Sequence, residues 1–296
     1  MKVPQANDHS IFNQIHFLFL LITAFMLGCS APQPRPTGVA YEYESAKDMF
    51  KRGRFDRVIE FADGPSQASP PNSFTDRARV LEVVVYSGQV RGFKELIDAY
   101  RKGVDTTKNT HFKAAYERQR NDSLQYGTRL ALGLGDVAHR ITEGGQLSKE
   151  YTLDAPFPST EGPLTLPQLA KVAEGGWIEP DEQEAVARDA QLKGIDDALA
   201  DLVGGDRSKA RTAMGTGPVK ISGASFGIFL GKELLNGATL FDRKHGRDSM
   251  KLRSLCGVAD ESAKAALALL KETPDKDKEK AAKKLQDDIK TTLKNI

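Results

Sequence analysis

The chain has 296 residues, 40% of them hydrophobic and 28% charged, which is enough to bury a sizeable core in one or two domains. Its 42 basic side chains nearly balance 40 acidic ones, so the net charge of +2 leaves no electrostatic footprint for nucleic acid. Two cysteines exclude a disulfide framework.

The first element is the apolar run Phe17–Cys29, FLFLLITAFMLGC. It is shorter than the roughly 20 residues needed to cross a bilayer, and it suits the apolar core of a secretory signal, roughly 7–15 residues long. An ordinary secretory leader or a buried helix would read the same way. The run closes on Leu27-Gly28-Cys29-Ser30, and here the chain resembles the signal peptides of bacterial lipoproteins. That resemblance implies a signal peptide over residues 1–28, cleavage between Gly28 and Cys29, and a lipid on the Cys29 thiol. Ser30 after the cysteine implies the outer membrane, with the body facing the periplasm. Residues 29–40 read as a tether: Pro32, Pro34 and Pro36 favour polyproline II, which rises about 3.1 Å per residue.

Residues 41–145 carry helical periodicity. Ala46 and Phe50 share one face, Gly53 breaks the helix, and Phe55, Val58 and Ala62 line a second one. A loop through Pro70-Pro71 follows, then a further helix, a break at Gly88, and a helix carrying Phe93, Leu96, Ile97 and Tyr100. Gly53 and Gly88 lie about 35 residues apart, and the same distance again reaches the turn-competent pair Asn121-Asp122. The arrangement resembles tetratricopeptide repeats, whose period is 34 residues, and that resemblance implies stacked helix hairpins. A plain helical bundle with two glycines at that spacing is the alternative.

Residues 146–179 form a Pro/Gly-rich connection, with Tyr151–Pro167 read as a loop and Trp177 as a core anchor. From 180 to 296 a second helical portion follows. Pro180 opens a helix with Asp181 and Glu182 in its first turn, and Gly204-Gly205 closes it. Pro218–Ile221 reads as a short strand before a helix, and Gly223, Gly227 and Gly231 form a small-residue stripe suited to close helix packing. The last two helices hinge at Thr273-Pro274, and the final one keeps an apolar seam of Leu285, Ile289 and Leu293. The expected fold is all-α: a helix-hairpin solenoid or right-angle helical array with a second helical C-terminal portion.

Signals for chemistry are sparse. Gly223-Ala224-Ser225-Phe226-Gly227 matches the G-x-S-x-G of serine hydrolases, but the one histidine after Ser225 is His245, and βαβ alternation is missing. His111, His139 and His245 have no metal-ligand spacing. Asp242, His245 and Asp248 read as a solvated turn, and Cys256 as a small buried hydrophobe. No cofactor is implied. The reading is a non-enzymatic lipoprotein of the cell envelope that docks a partner protein. The alternatives are binding of a small hydrophobic solute or lipid as a transporter accessory and, distantly, hydrolysis through Ser225.

Overall fold

Two successive helices of the chain run straight through the positions where turns are expected. The computed structural model describes residues 38–143, 146–158, 165–242, 245 and 248–295. Gly28, Cys29 and the tether up to residue 37 lie outside the described residues, and residues 39–296 form one unit.

α1 (Val39–Lys51) and α2 (Phe55–Ser66) make the hairpin expected around Gly53. Gly53 adopts φ +68°, a left-handed conformation that glycine accepts without a Cβ penalty. Its N–H donates to the Phe50 carbonyl at 3.0 Å, and the Phe50 and Phe55 rings meet edge to face at 5.9 Å. Ala46, Phe50, Phe55, Val58 and Ala62 are all buried.

The expected turn at Gly88 is absent. α3 is a single helix of 32 residues, Thr75–Thr106, with Gly88 in its middle. The turn at Asn121-Asp122 is absent too, because α4 continues unbroken over Thr110–Thr142. The hairpin repeat therefore ends after its first member. The physical reason at Gly88 is a close helix crossing. A Cβ on Gly92 would sit 2.6 Å from the Ala190 carbonyl oxygen, and one on Gly88 would run into the backbone of Ile195. Glycine in a helix costs about 1 kcal/mol against alanine, and here the close approach of a second helix offsets that cost.

That second helix is α6 (Pro180–Val203), reached through β1 (Glu150–Leu153) and α5 (Pro167–Ala173). Both ends of α6 fall where the residues place them. Pro180 occupies the first turn, Glu179 and Glu182 form a reciprocal cap, and Gly204 ends the helix at φ +79°. α7 (Arg207–Gly215) leads to β2 (Val219–Ser222), then α8 (Gly223–Ala238), a 3-10 turn Thr239–Phe241, α9 (Ser249–Glu272) and α10 (Lys276–Lys294). The hinge at Thr273-Pro274 separates α9 from α10 as expected.

Tyr151–Leu153 is not loop. β1 pairs antiparallel with β2, Tyr151 opposite Ile221 and Leu153 opposite Val219. Tyr151 and Leu153 point into the core, and the Tyr151 ring lies 4.2 Å from that of Phe226. The result is an all-α array carrying one small two-stranded sheet.

α3 is the central element, packed against α2, α4, α5, α6, α8 and β1. The principal core gathers side chains from α1–α4, α6, α8 and α9. A second cluster fills the space between α3, α4, α5 and α6 around Leu96, Tyr116, Val172 and Ile178. Trp177 packs here, its ring stacked on Phe112 at 4.8 Å. The small-residue stripe also meets its purpose: a Cβ on Gly227 would press on Leu147, Ala266 and the Ser262 carbonyl, and one on Gly231 on Leu285 and the Ala259 carbonyl. Cys256 is fully buried, and burial pushes its thiol up to about 11.

Candidate functional site

Where α2, α3, α4 and α6 converge, their side chains do not close the gap. A cleft of about 530 Å³ remains, within the range of small-molecule sites. α3 supplies Phe93, Leu96 and Tyr100 on one helical face, α2 supplies Ile59, α4 supplies Leu130, and α6 supplies Ala187. Burial pushes the Tyr100 hydroxyl up to about 12, so it stays a neutral hydrogen-bonding group. At the mouth, Tyr126 is 54% exposed and stacks on Phe93 with ring centroids 5.8 Å apart. The Arg129 guanidinium lies 5.8 Å from the Tyr126 ring centroid, within cation–π reach.

The polar groups of the wall include three amides, Gln89, Gln119 and Gln191. Gln89 on α3 is 6% exposed and donates from Nε2 to Oε1 of Gln191 on α6 at 3.1 Å. Gln191 in turn donates from Nε2 to the Ala187 carbonyl at 3.2 Å. Gln89 Oε1 is buried and accepts no hydrogen bond. Gln89, Gln191, Asp56 and Ala187 also border an adjoining hollow of about 530 Å³ beside Arg54, Asp181 and Glu184. An apolar interior with a few directed polar groups is the usual composition of a ligand site.

A second hollow, about 670 Å³, runs between β2, α8 and α10. Ser225 sits in it, in the first turn of α8. Its hydroxyl accepts from the Ser222 hydroxyl at 2.8 Å, and its N–H donates to Ser222 Oγ at 3.3 Å. The glycine-flanked serine thus belongs to a helix cap. His245 lies beyond the opposite end of α8, which from Ser225 to Ala238 spans about 20 Å at 1.5 Å per residue. The structure does not bring the two together. His245 is held instead by its own turn, with Nδ1 2.9 Å from Asp242 Oδ1 and 3.1 Å from the Thr239 carbonyl oxygen. The His245 side chain is only 12% exposed, whereas those of Asp242 and Asp248 are more exposed, and Asp248 caps α9 through the Lys251 N–H. Among the described residues, no group of three or more His, Cys, Asp or Glu side chains is placed to hold a metal ion, and no helix is long and apolar enough to cross a membrane.

Sequence reasoning misses the cleft. Phe93, Leu96 and Tyr100 read simply as a buried face, and Gln89 and Gln191, 102 positions apart, carry no local signal of meeting. Comparison of the chain with protein-family models, with curated proteins and with solved structures finds no match.

Proposed function

We propose that the chain is a non-enzymatic binding protein of the bacterial cell envelope, lipid-anchored through Cys29, whose body takes a small, mainly apolar ligand in the cleft between α2, α3, α4 and α6. The observation that carries this reading is the cleft itself: about 530 Å³ of space walled by Ile59, Phe93, Leu96 and Leu130, with the Gln89 side chain among its polar groups. The resemblance of Leu27-Gly28-Cys29-Ser30 to lipoprotein signals supports the anchor. Native mass spectrometry of protein purified from its own host, beside an Ala187→Phe variant that fills the cleft, tests the reading. A bound mass in wild type that the variant lacks supports it; a bare polypeptide in both counts against it.

A second reading, docking of an envelope protein, is favoured by the hollow along β2. Among the described residues β2 pairs with β1 alone, so its other edge can accept an extended segment. A crosslinked pull-down from native membranes, beside a Cys29→Ala control, tests it. Recovery of one defined protein by wild type and its loss in the control is the expected result; recovery of nothing specific removes this reading.

A further inference from the structure

We infer that the ligand of the cleft is a ring-containing apolar compound that carries a hydrogen-bond donor, hydroxyl or amine, and delivers it to Gln89 Oε1. This inference rests on the proposed small-molecule reading and narrows it.

The argument starts from the polarity of the amide chain. A backbone carbonyl only accepts, so the group of Gln191 that faces the Ala187 oxygen is its NH2. Gln191 then turns its oxygen toward Gln89, and Gln89 meets it with its own NH2. Reversing either amide would set two oxygens against each other. The chain thus runs in one direction, Gln89 to Gln191 to Ala187, and its open end is an oxygen. That oxygen is buried and has no partner, so its lost solvation is left uncompensated. Gln89 lines the cleft, so a ligand seated there lies beside the side chain that carries this oxygen.

The rest of the wall selects the body of the ligand. Phe93 and the exposed Tyr126 offer aromatic surface, which favours stacking with a flat ring. The mouth carries charges of both signs, Asp56 and Asp122 with Arg129, so the selection falls to the Gln89 end, where an amide oxygen accepts from a hydroxyl or amine.

The test measures binding of 2-naphthol and 2-methoxynaphthalene to the folded protein by calorimetry or ligand-observed NMR. The two probes share a ring system and differ in the donor. Wild type is expected to bind 2-naphthol about three- to tenfold tighter, the worth of one net hydrogen bond. Gln89→Leu should erase that preference, bringing the affinities of the two probes together. Gln191→Met, which frees the Gln89 amide to turn either way, should reduce the preference and serves if Gln89→Leu unfolds. Equal affinity of the two probes in wild type, or an undiminished preference in both variants, overturns the inference and leaves the cleft reading standing. Failure of both probes to bind overturns the ring-and-donor class. If they bind and Ala187→Phe weakens neither, binding lies elsewhere and the cleft reading falls with the inference.

Discussion

Gly88 of α3 and Gly194 of α6 face each other at the point where the two helices cross, and a Cβ on Gly194 would overlap the Gly88 carbonyl oxygen. With Gly92 and Ala190 alongside, the crossing is built from small residues, and the two backbones touch where side chains would ordinarily intervene. Neither helix can yield there without shifting its own hydrogen-bonded backbone.

Gly194→Ala is therefore expected to destabilise the fold by about 1–3 kcal/mol or more, as overpacking does in a tight interior. Gly257→Ala is the matched control. Gly257 lies in α9 with nothing within 4 Å of an added Cβ, so the better helix propensity of alanine should stabilise by up to about 1 kcal/mol. Chemical denaturation of both variants checks the pair; equal and small effects would mean that the crossing is loose.

Arg91 joins α3 to α8 through a two-pronged contact with Glu233, Nε to Oε2 at 2.9 Å and Nη2 to Oε1 at 2.5 Å. It also reaches Asp201 of α6 at 2.6 Å. The two acids differ in exposure, 4% for Glu233 and 60% for Asp201. Removing Glu233 leaves a largely covered guanidinium without its main partner, so Glu233→Ala should cost about 3–5 kcal/mol. Asp201→Ala should cost about 0–1 kcal/mol, as exposed pairs do. Unfolding curves that rank the two the other way would contradict this account.

Glu82 gives a pH signature. Burial raises its carboxyl to about 7, with the Ser66 hydroxyl and Arg140 opposing the rise. A group raised in the folded state stabilises fully below its unfolded pKa and loses that contribution as pH climbs through the folded value. The window runs from the ordinary value of 4.5 up to about 7. Glu82→Gln should gain on wild type across it, by on the order of 3 kcal/mol in relative stability between pH 4.5 and pH 8. Thermal unfolding at the two pH values decides; a gap that does not change with pH would remove Glu82 as the source.

The proposed lipid anchor makes a direct prediction: Cys29→Ala should move the protein from the membrane to the soluble fraction, because stable anchoring needs acyl chains that the alanine cannot accept. Fractionation followed by mass analysis of the mature N-terminus checks this directly.

The contrast between α6 and α3 shows what the residues alone make legible. Pro180, Asp181, Glu182 and Gly204 announce the start and end of α6 through backbone chemistry confined to a few positions, and the helix begins and ends there. Gly88 announces nothing so local. The same residue serves a turn or a close helix crossing, and the choice depends on Gly194 and Ile195 more than a hundred positions away. The strand read at Pro218–Ile221 forms over Val219–Ser222, whereas its partner Glu150–Leu153, just ahead of a proline-rich stretch, gives no such sign, since only the pairing with β2 rewards extension there. The Ser225 motif is present in sequence, yet its geometry is that of a capped helix. The cleft is least legible, because it is a gap between elements rather than a property of any one of them.

The central place of α3 also governs how this protein must come apart and come together. In a stack of hairpins each unit contacts only its neighbours, so pieces can form or fray in turn. Here residues 75–106 lean on residues 180–203 and 223–238, and β1 waits for a strand about seventy positions downstream. Loops of that length must close before the core rewards them, so the first half of the body gains little of its final stability until the second half arrives. A protein of this design stays open to proteases and chaperones until its second half is in place, and becomes resistant in one late, cooperative step.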